Sequence, residues 1–483
     1  MNQTCDESGV AFRLEPRQHS SASYPGSRVR NVRLIEQLSF LAVLTLIALA
    51  AIPYGTVQAW WIAVFECGAF LLGAVWAFMG LLGRAPQMNN RTLLGAFAAL
   101  VLVAALQTLP IWFADGVRQP LSVDPFATRL WILYSAALLI ILALLLQYTN
   151  DLTRLRALVY VVIAVGVGSA VFGIGRHLTS FVLPVPAGST PAEASFGQFI
   201  NRNHFALLME LSLGLVAGIL VGGGARTSQI PIYLTLTALL WIALVLSNSR
   251  GGIMSMVGQS IFLALIWNLR REPHKRSLDG RFSSRLKSLS HMRGTRALLT
   301  VALVAMMTAG VVWVGGDPLR HRFEALPREL DSETVSRDNS SRLSIWRATL
   351  SMIKEHPLVG VGFGAFATAF PKYHNASGRW TPEQAHNDYL ELMASGGLPA
   401  VAIGIVMLVV VGRAAWRRFA TAVDPFRRAT CLGAMVGLFG LMIHSLVDFG
   451  LHVTINALVC ISLIVIAVAP ISESKPAVRQ LNV

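Results

Sequence analysis

Thr381-Pro382-Glu383-Gln384-Ala385-His386-Asn387-Asp388-Tyr389-Leu390-Glu391-Leu392-Met393-Ala394 runs directly into an apolar stretch that opens at Gly396, and this junction decides how the chain is read. Thr381 and Gln384 have capping-box spacing and Pro382 falls at a first helical position, so a helix is expected to start here. His386, Tyr389, Leu390 and Met393 would share one face of it, since residues three and four apart are helical neighbours. His386, Asn387 and Asp388 would lie near its N-terminus, where backbone N–H groups and the dipole favour anions. Gly396-Gly397 and Pro399 are expected to end the helix, with a membrane span following. A polar helix ending against a span places chemistry at a membrane surface.

The rest of the chain agrees with a membrane setting. Its 483 residues are 54% hydrophobic and 13% charged, where a soluble globular chain carries roughly twice that share of charge. Apolar runs of about 18–20 residues recur from end to end, each able to cross a hydrocarbon core of about 30 Å. The expected fold class is an all-α polytopic membrane protein, because helices satisfy their own backbone groups in lipid and these runs are too long for barrel strands. About twelve spans are expected, near 37–53, 58–80, 92–113, 128–147, 155–175, 204–223, 229–248, 251–268, 297–315, 396–412, 430–448 and 451–470.

Five segments follow from this division. Residues 1–35 are Ser/Arg-rich without periodicity and read as a disordered cytoplasmic tail. Residues 36–315 hold the first nine spans, and 316–395 form one long loop that includes the His386 helix. Residues 396–470 hold three more spans, and 471–483 a second cytoplasmic tail. The N-terminal segment has no cleavable signal pattern, so the first span is expected to be its own uncleaved signal. In the long loop, Leu343, Trp346, Leu350 and Ile353 have helical spacing and read as a face packed on the membrane domain.

The net charge is +15, from 40 Lys+Arg against 25 Asp+Glu. Its distribution speaks for topology rather than nucleic acid. Basic residues fill alternate loops: Arg84 and Arg91, Arg154 and Arg156, Arg226, the cluster from Arg270 to Arg296, and Arg413, Arg417, Arg418, Arg427 and Arg428. By the positive-inside rule these loops are cytoplasmic and the others extracytoplasmic. Of four cysteines, Cys67, Cys431 and Cys460 lie in apolar runs and Cys5 in the tail, which gives no disulfide framework or metal-ligand spacing.

Four polar motifs then fall on the extracytoplasmic side. They are Asn201-Arg202-Asn203-His204-Phe205, Ser247-Asn248-Ser249-Arg250-Gly251-Gly252, the His386-Asn387-Asp388-Tyr389 stretch, and His444, Asp448 and His452 near the last turn. Arg342 and Arg347 in the long loop add cations. Arg202 and Arg250 oppose the positive-inside bias. They either snorkel to headgroups or pair with Asp448, or they form an anion site, since guanidinium forks match phosphate oxygens. Gly251 and Gly252 let backbone approach a bulky ligand.

His386 is either a hydrogen-bonded helix-surface residue or a general base. Asp388 is poorly spaced to orient it, and a distant acid serves as well. Asn203 and Asn387 either hold sugar or phosphate oxygens or cap helix ends. Glu66 and Glu210 lie inside spans, where a carboxylate is costly. Paired-Asp, H-E-x-x-H and G-x-x-x-x-G-K-[ST] patterns are absent from the sequence, so neither a metal nor ATP is expected. Gly360, Gly362 and Gly364 form only a glycine-rich turn.

At these motifs the chain resembles the O-antigen ligase/polymerase superfamily of bacterial envelope glycosyltransferases. The resemblance rests on Asn201 to Ala206, Ser249 to Gly252, Arg342 with Trp346, Glu355 to Gly360, His386 to Leu390, and Asp448, covering roughly 195–455. It implies a multi-pass enzyme of the inner membrane with a periplasmic site. Such an enzyme takes a glycan from undecaprenyl diphosphate and transfers it to an acceptor hydroxyl: lipid A-core, a growing polysaccharide, or a protein Ser or Thr. It further implies that Arg202 and Arg250 hold the diphosphate and that His386 deprotonates the acceptor for direct inverting displacement. Arg342, Asp448, Asn203 and Asn387 would support substrate, and no metal or other cofactor would be used. A polymerase of the same superfamily, a secondary transporter and a non-catalytic scaffold are the alternatives.

Overall fold

A computed structural model of the chain describes residues 26–52, 54–81, 89–112, 116, 118–179, 195–269, 342–374 and 382–471. The expected span at 297–315, the basic cluster 270–296, Arg84, Thr381, residues 1–25, 316–341 and 472–483 lie outside them. The helices are α1 (Gly26–Leu49), α2 (Ala59–Leu81), α3 (Arg91–Gln107), α4 (Pro125–Tyr148), α5 (Leu152–Thr179) and α6 (Arg202–Val221). They continue with α7 (Ile230–Leu246), α8 (Arg250–Leu269), α9 (Arg342–Glu355), α10 (Asp388–Thr421), α11 (Pro425–His444) and α12 (Thr454–Val468). Seven helices among the described residues are long and apolar enough to cross a membrane; Leu34–Leu49, α3, Arg250–Ile266 and α12 are shorter apolar helices.

Several boundaries differ from the expectation. The span at 92–113 stops at Gln107, and Pro110–Trp112 instead pairs antiparallel with Arg118–Pro120, a small strand pair among described elements that are otherwise helical. Helix α1 begins inside the segment read as a disordered tail. In α9 the buried stripe is Ile345, Ala348, Thr349 and Met352, not Leu343, Trp346, Leu350 and Ile353; Leu350 is 46% exposed. Helix and membrane-domain contact are as expected, but the face is rotated.

Helix α6 is the axis of the bundle, with 83% of its apolar window buried. It crosses α11 through small residues: Gly214 and Gly218 of α6 face Gly437 and Gly433 of α11. A Cβ at Gly214 would stand 2.6 Å from the Gly437 nitrogen, and one at Gly218 would overlap the Gly433 backbone. In lipid, where apolar tails offer helices no hydrophobic drive to associate, such close backbone approach is what holds a pair together.

Helix α10 joins two expected elements into one. The polar helix and the following span are continuous from Asp388 to Thr421, kinked at Gly397 (φ 63°, ψ −163°). Pro399 lacks the N–H that would reach the Ser395 carbonyl. The glycine-rich turn supplies the missing donors: Gly362 N–H bonds to Ser395 O at 3.0 Å and Val361 N–H to Ala394 O at 2.9 Å. Gln107, at the end of α3, donates to Ser395 O (2.9 Å) and Val359 O (2.6 Å) and accepts from Phe363 N–H (3.1 Å). The turn can lie this close only because Gly360 and Gly362 have positive φ and no side chain; a Cβ on Gly360 would strike the Ser395 carbonyl.

At the opposite end of the bundle Arg427 is 2% exposed and donates to the carbonyls of Ile466, Ala467 and Ala469 at the end of α12. A cation there satisfies helix carbonyls and matches the negative end of the dipole. This adds a packing role to a residue read from sequence as a topology signal.

Gly218→Val should destabilise the folded protein by about 3 kcal/mol or more, since the colliding atoms are backbone and cannot rotate away. Gly168→Ala, where a Cβ meets nothing within 4 Å, should change stability by about 1 kcal/mol at most. Thermal unfolding in detergent measures both.

Candidate active site

The N-terminus of α10 is clipped to the C-terminus of α11. Asn387 is the N-cap, its Oδ1 accepting from the N–H groups of Tyr389 and Leu390, both at 3.0 Å. Its Nδ2 donates to Leu446 O at 2.9 Å. Asp388 N–H bonds to Ser445 O at 3.0 Å, Ser445 Oγ donates to Asp388 Oδ2 at 2.7 Å, and Tyr389 Oη donates to Met442 O at 2.8 Å. The helix therefore starts at Asp388 rather than Pro382. The polar atoms of Asn387 are committed to capping and anchoring, the alternative to ligand binding that its residue type allowed.

His386 consequently does not share a helical face with Tyr389, Leu390 and Met393. It precedes the helix in a left-handed conformation, φ 51°, which costs a non-glycine residue roughly 1–3 kcal/mol and persists only where its surroundings hold it. Ala385, next to it, is fixed from two sides: its N–H donates to Glu391 Oε2 (2.9 Å) and its carbonyl accepts from Trp346 Nε1 (3.1 Å). Trp346 belongs to α9, so the long loop helps to aim His386.

Asp448 is the hub. Its Oδ1 lies 3.5 Å from His386 Nδ1 and 3.8 Å from His204 Nε2, and its Oδ2 lies 3.4 Å from Arg342 Nη2. The acid serving His386 is thus Asp448, sixty-two positions on by number, and not Asp388. The side chain of Asp448 is 1% exposed while that of His386 is 20% exposed, so only the histidine is reachable. Burial by itself would raise the Asp448 carboxyl, but the interaction with His386 and the charges of His204, Arg342 and His444 hold it below the usual carboxylate range. Phe449 follows directly, its ring set edge-to-face against His386 (4.7 Å between centroids) and His204 (4.8 Å).

Arg202 and Arg250 are the first residues of α6 and α8. The two helix starts are joined by Ser249 Oγ, which donates to Asn203 Oδ1 at 2.9 Å. Asn201 caps α6, accepting from Asn203 N–H at 2.9 Å. Two helix N-termini, each carrying an arginine, give convergent N–H groups and positive charge suited to an anion. Among the other expected residues, Arg347 is exposed, and Glu66 on α2 makes none of these contacts. Glu210 lies against His444 below the cluster.

Beside this set, His452 Nε2 lies 3.3 Å from Glu391 Oε1 and 3.9 Å from Asp388 Oδ1. Burial pushes the His452 imidazole below its usual value, opposed by the charge of Asp388. Among the described residues no group of three or more His, Cys, Asp or Glu is placed to hold a metal ion. Phe449 and the Ser249–Asn203 link had no signal in the sequence beyond their position beside motif residues. His204 stood within a quoted motif, yet its partner could not be read from spacing.

The fold and this cluster define a multi-pass helical membrane protein with a histidine–carboxylate and arginine site at one end of its bundle. Residues 235–405 match the family model described as O-Antigen ligase, so this segment of the chain is similar to the O-antigen ligase superfamily. The matched segment contains Arg250, Arg342, His386 and Asn387; Arg202, His204 and Asp448 come to the same cluster from outside it. The family supports a ligase- or polymerase-like, glycosyltransferase-type enzyme. No curated protein matches the chain.

Asp448→Asn should destabilise the protein, and the sign of its pH dependence follows from the lowered carboxyl. A depressed pKa contributes stability that is present above the unfolded value, 3.8, and is lost as pH falls through the folded one. Thermal unfolding should therefore show the gap between wild type and variant open from about pH 8 to about pH 5, closing only in stronger acid.

Proposed function

We propose that the chain is a metal-independent, inverting glycosyltransferase of the inner membrane. In this reading it moves a glycan from undecaprenyl diphosphate to an acceptor hydroxyl on the periplasmic face, and lipid A-core or a growing polysaccharide is the acceptor. The observation that carries it is the pairing of a reachable His386 with a buried Asp448 beside two arginine-headed helix starts.

The chemistry follows from these groups. Asp448 faces Nδ1 of His386, which favours the tautomer with a proton there and leaves Nε2 as the base. Nε2 takes the acceptor hydroxyl proton as the acceptor oxygen bonds to the anomeric carbon. The bond from that carbon to the diphosphate oxygen breaks, its electron pair leaves with the phosphate, and configuration inverts. Arg202, Arg250 and the N–H groups behind them offset the charge gathering on the leaving diphosphate. Arg342 balances Asp448 and stands where it can also reach substrate, being 34% exposed. The leaving lipid diphosphate supplies the driving force, so neither ATP nor a metal is required.

The test is transfer from a synthetic undecaprenyl-diphosphate glycan in EDTA, with lipid A-core and free repeat units as competing acceptors. Wild type should transfer with inversion, read by NMR of the product, and the acceptor used separates ligase from polymerase. His386→Ala should lose about a hundredfold to ten-thousandfold in kcat, the span a general base supplies. Arg250→Lys should lose about a hundredfold, because a point charge replaces a bidentate fork. Full activity in His386→Ala removes it as the base, and dependence of wild type on a divalent ion overturns the metal-free reading.

A further inference from the structure

Glu210 and His444 form a pair that the proposed chemistry does not use. His444 Nδ1 lies 2.6 Å from Glu210 Oε1, and the two side chains are 1% and 0% exposed. The pair sits where three helices meet. Glu210 belongs to α6, about two turns below Arg202. His444 ends α11, and its carbonyl accepts from Asp448 N–H at 3.1 Å. Helix α8 closes on both: a Cβ at Gly251, next to Arg250, would stand 3.5 Å from His444 Nε2. About two turns deeper along α8, Gln259 Nε2 donates to Glu210 O at 3.0 Å and packs directly on Gly440 of α11.

A carboxylate and an imidazole buried between spans are a poor source of stability, because desolvation offsets their attraction. The best-attested use of such a pair is to fix register. Register matters here because one helical residue is a rotation of about 100°. A slip of α6 against α11 would turn Arg202 away from Arg250 and Asp448. The glycine crossing sets the distance between these helices but offers smooth surfaces that can slide; a directional polar contact pins them.

We propose that Glu210 and His444 are positioning residues that set the spacing of Arg202, Arg250 and Asp448 for a lipid diphosphate. This rests on the transferase reading above.

The experiment uses the full chain in nanodiscs, comparing wild type, Glu210→Gln and Glu210→Ala. Glutamine keeps an oxygen that accepts from His444, and alanine does not. The readouts are Kd for undecaprenyl diphosphate, donor KM against kcat in transfer, and thermal unfolding. Alanine should raise Kd and donor KM about tenfold with kcat at saturating donor changed less than about threefold, and glutamine should restore both, in line with the sensitivity of rate and binding to small misplacements. Unmoved Kd and KM in the alanine variant overturn the proposal, as does equal impairment by glutamine and alanine. A loss explained wholly by unfolded protein, with the folded fraction binding as wild type, overturns it too. If wild type itself neither binds undecaprenyl diphosphate nor transfers, the transferase reading fails first and the proposal falls with it. Binding by wild type with no change in the variant sinks the proposal alone.

Discussion

Glycine against glycine, where α6 crosses α11, is the contact on which the remaining geometry depends. In lipid the gain from association is dispersion and hydrogen bonding, both short-ranged. Removing the Cβ atoms at Gly214, Gly218, Gly433 and Gly437 brings the two backbones into direct contact. At one end this delivers the start of α6, with Arg202 and His204, to the turn after α11 that carries Asp448. At the other end it leaves the start of α11 beside the end of α12, where Arg427 reaches the buried terminal carbonyls.

The second constraint is the break in α10. A proline and a positive-φ glycine in a span leave carbonyls that lipid cannot satisfy. The chain answers with the glycine turn and Gln107, so a defect in one helix becomes the anchor for the loop segment 357–363. That anchor places α9 and its Trp346 against Ala385. The same loop therefore repairs the span and orients His386. A helix running on through residues 382–388 would have put His386 on a regular face; the left-handed residue is the cost of turning it toward Asp448 instead, offset by capping and bonds worth about 1 kcal/mol each.

Much of this was legible in the sequence, for identifiable reasons. Span composition, the α7–α8 turn at Asn248, and the break at Gly396-Gly397 and Pro399 are local signals, and each has its counterpart in the fold. The start of α10 was misplaced because Thr381 and Gln384 mimic a capping box, while Asn387 does the capping. Spacing alone cannot choose between two competent caps. The Asp448 partnership was out of reach in another way. It joins α10 to the turn after α11, and no periodicity encodes a contact of that separation. The glycine pairs at 214/218 and 433/437 did stand in the sequence with small-xxx-small spacing, a signal that each helix packs closely on a neighbour but not of which neighbour it is.

Charge placement gives the site its character. One carboxylate, buried and kept ionised, sits among His204, His386 and Arg342, each close enough to feel it. Were Asp448 exposed, water would screen it and His386 would lose its bias toward the tautomer that leaves Nε2 free. Were it buried without these partners, it would take up a proton and provide no bias at all. The arginine-headed starts of α6 and α8 have the complementary logic. Helix N-termini cannot rotate away, and the Ser249–Asn203 bond fixes their separation. Positive potential is then present before any anion arrives, so no reorganisation is needed to meet negative charge. A metal ion would bring the same charge, but it would have to be captured and held by carboxylates. Here the N-termini of α6 and α8 already carry part of that charge, and the glycine contact of α6 with α11 holds the first of them beside the turn that carries Asp448.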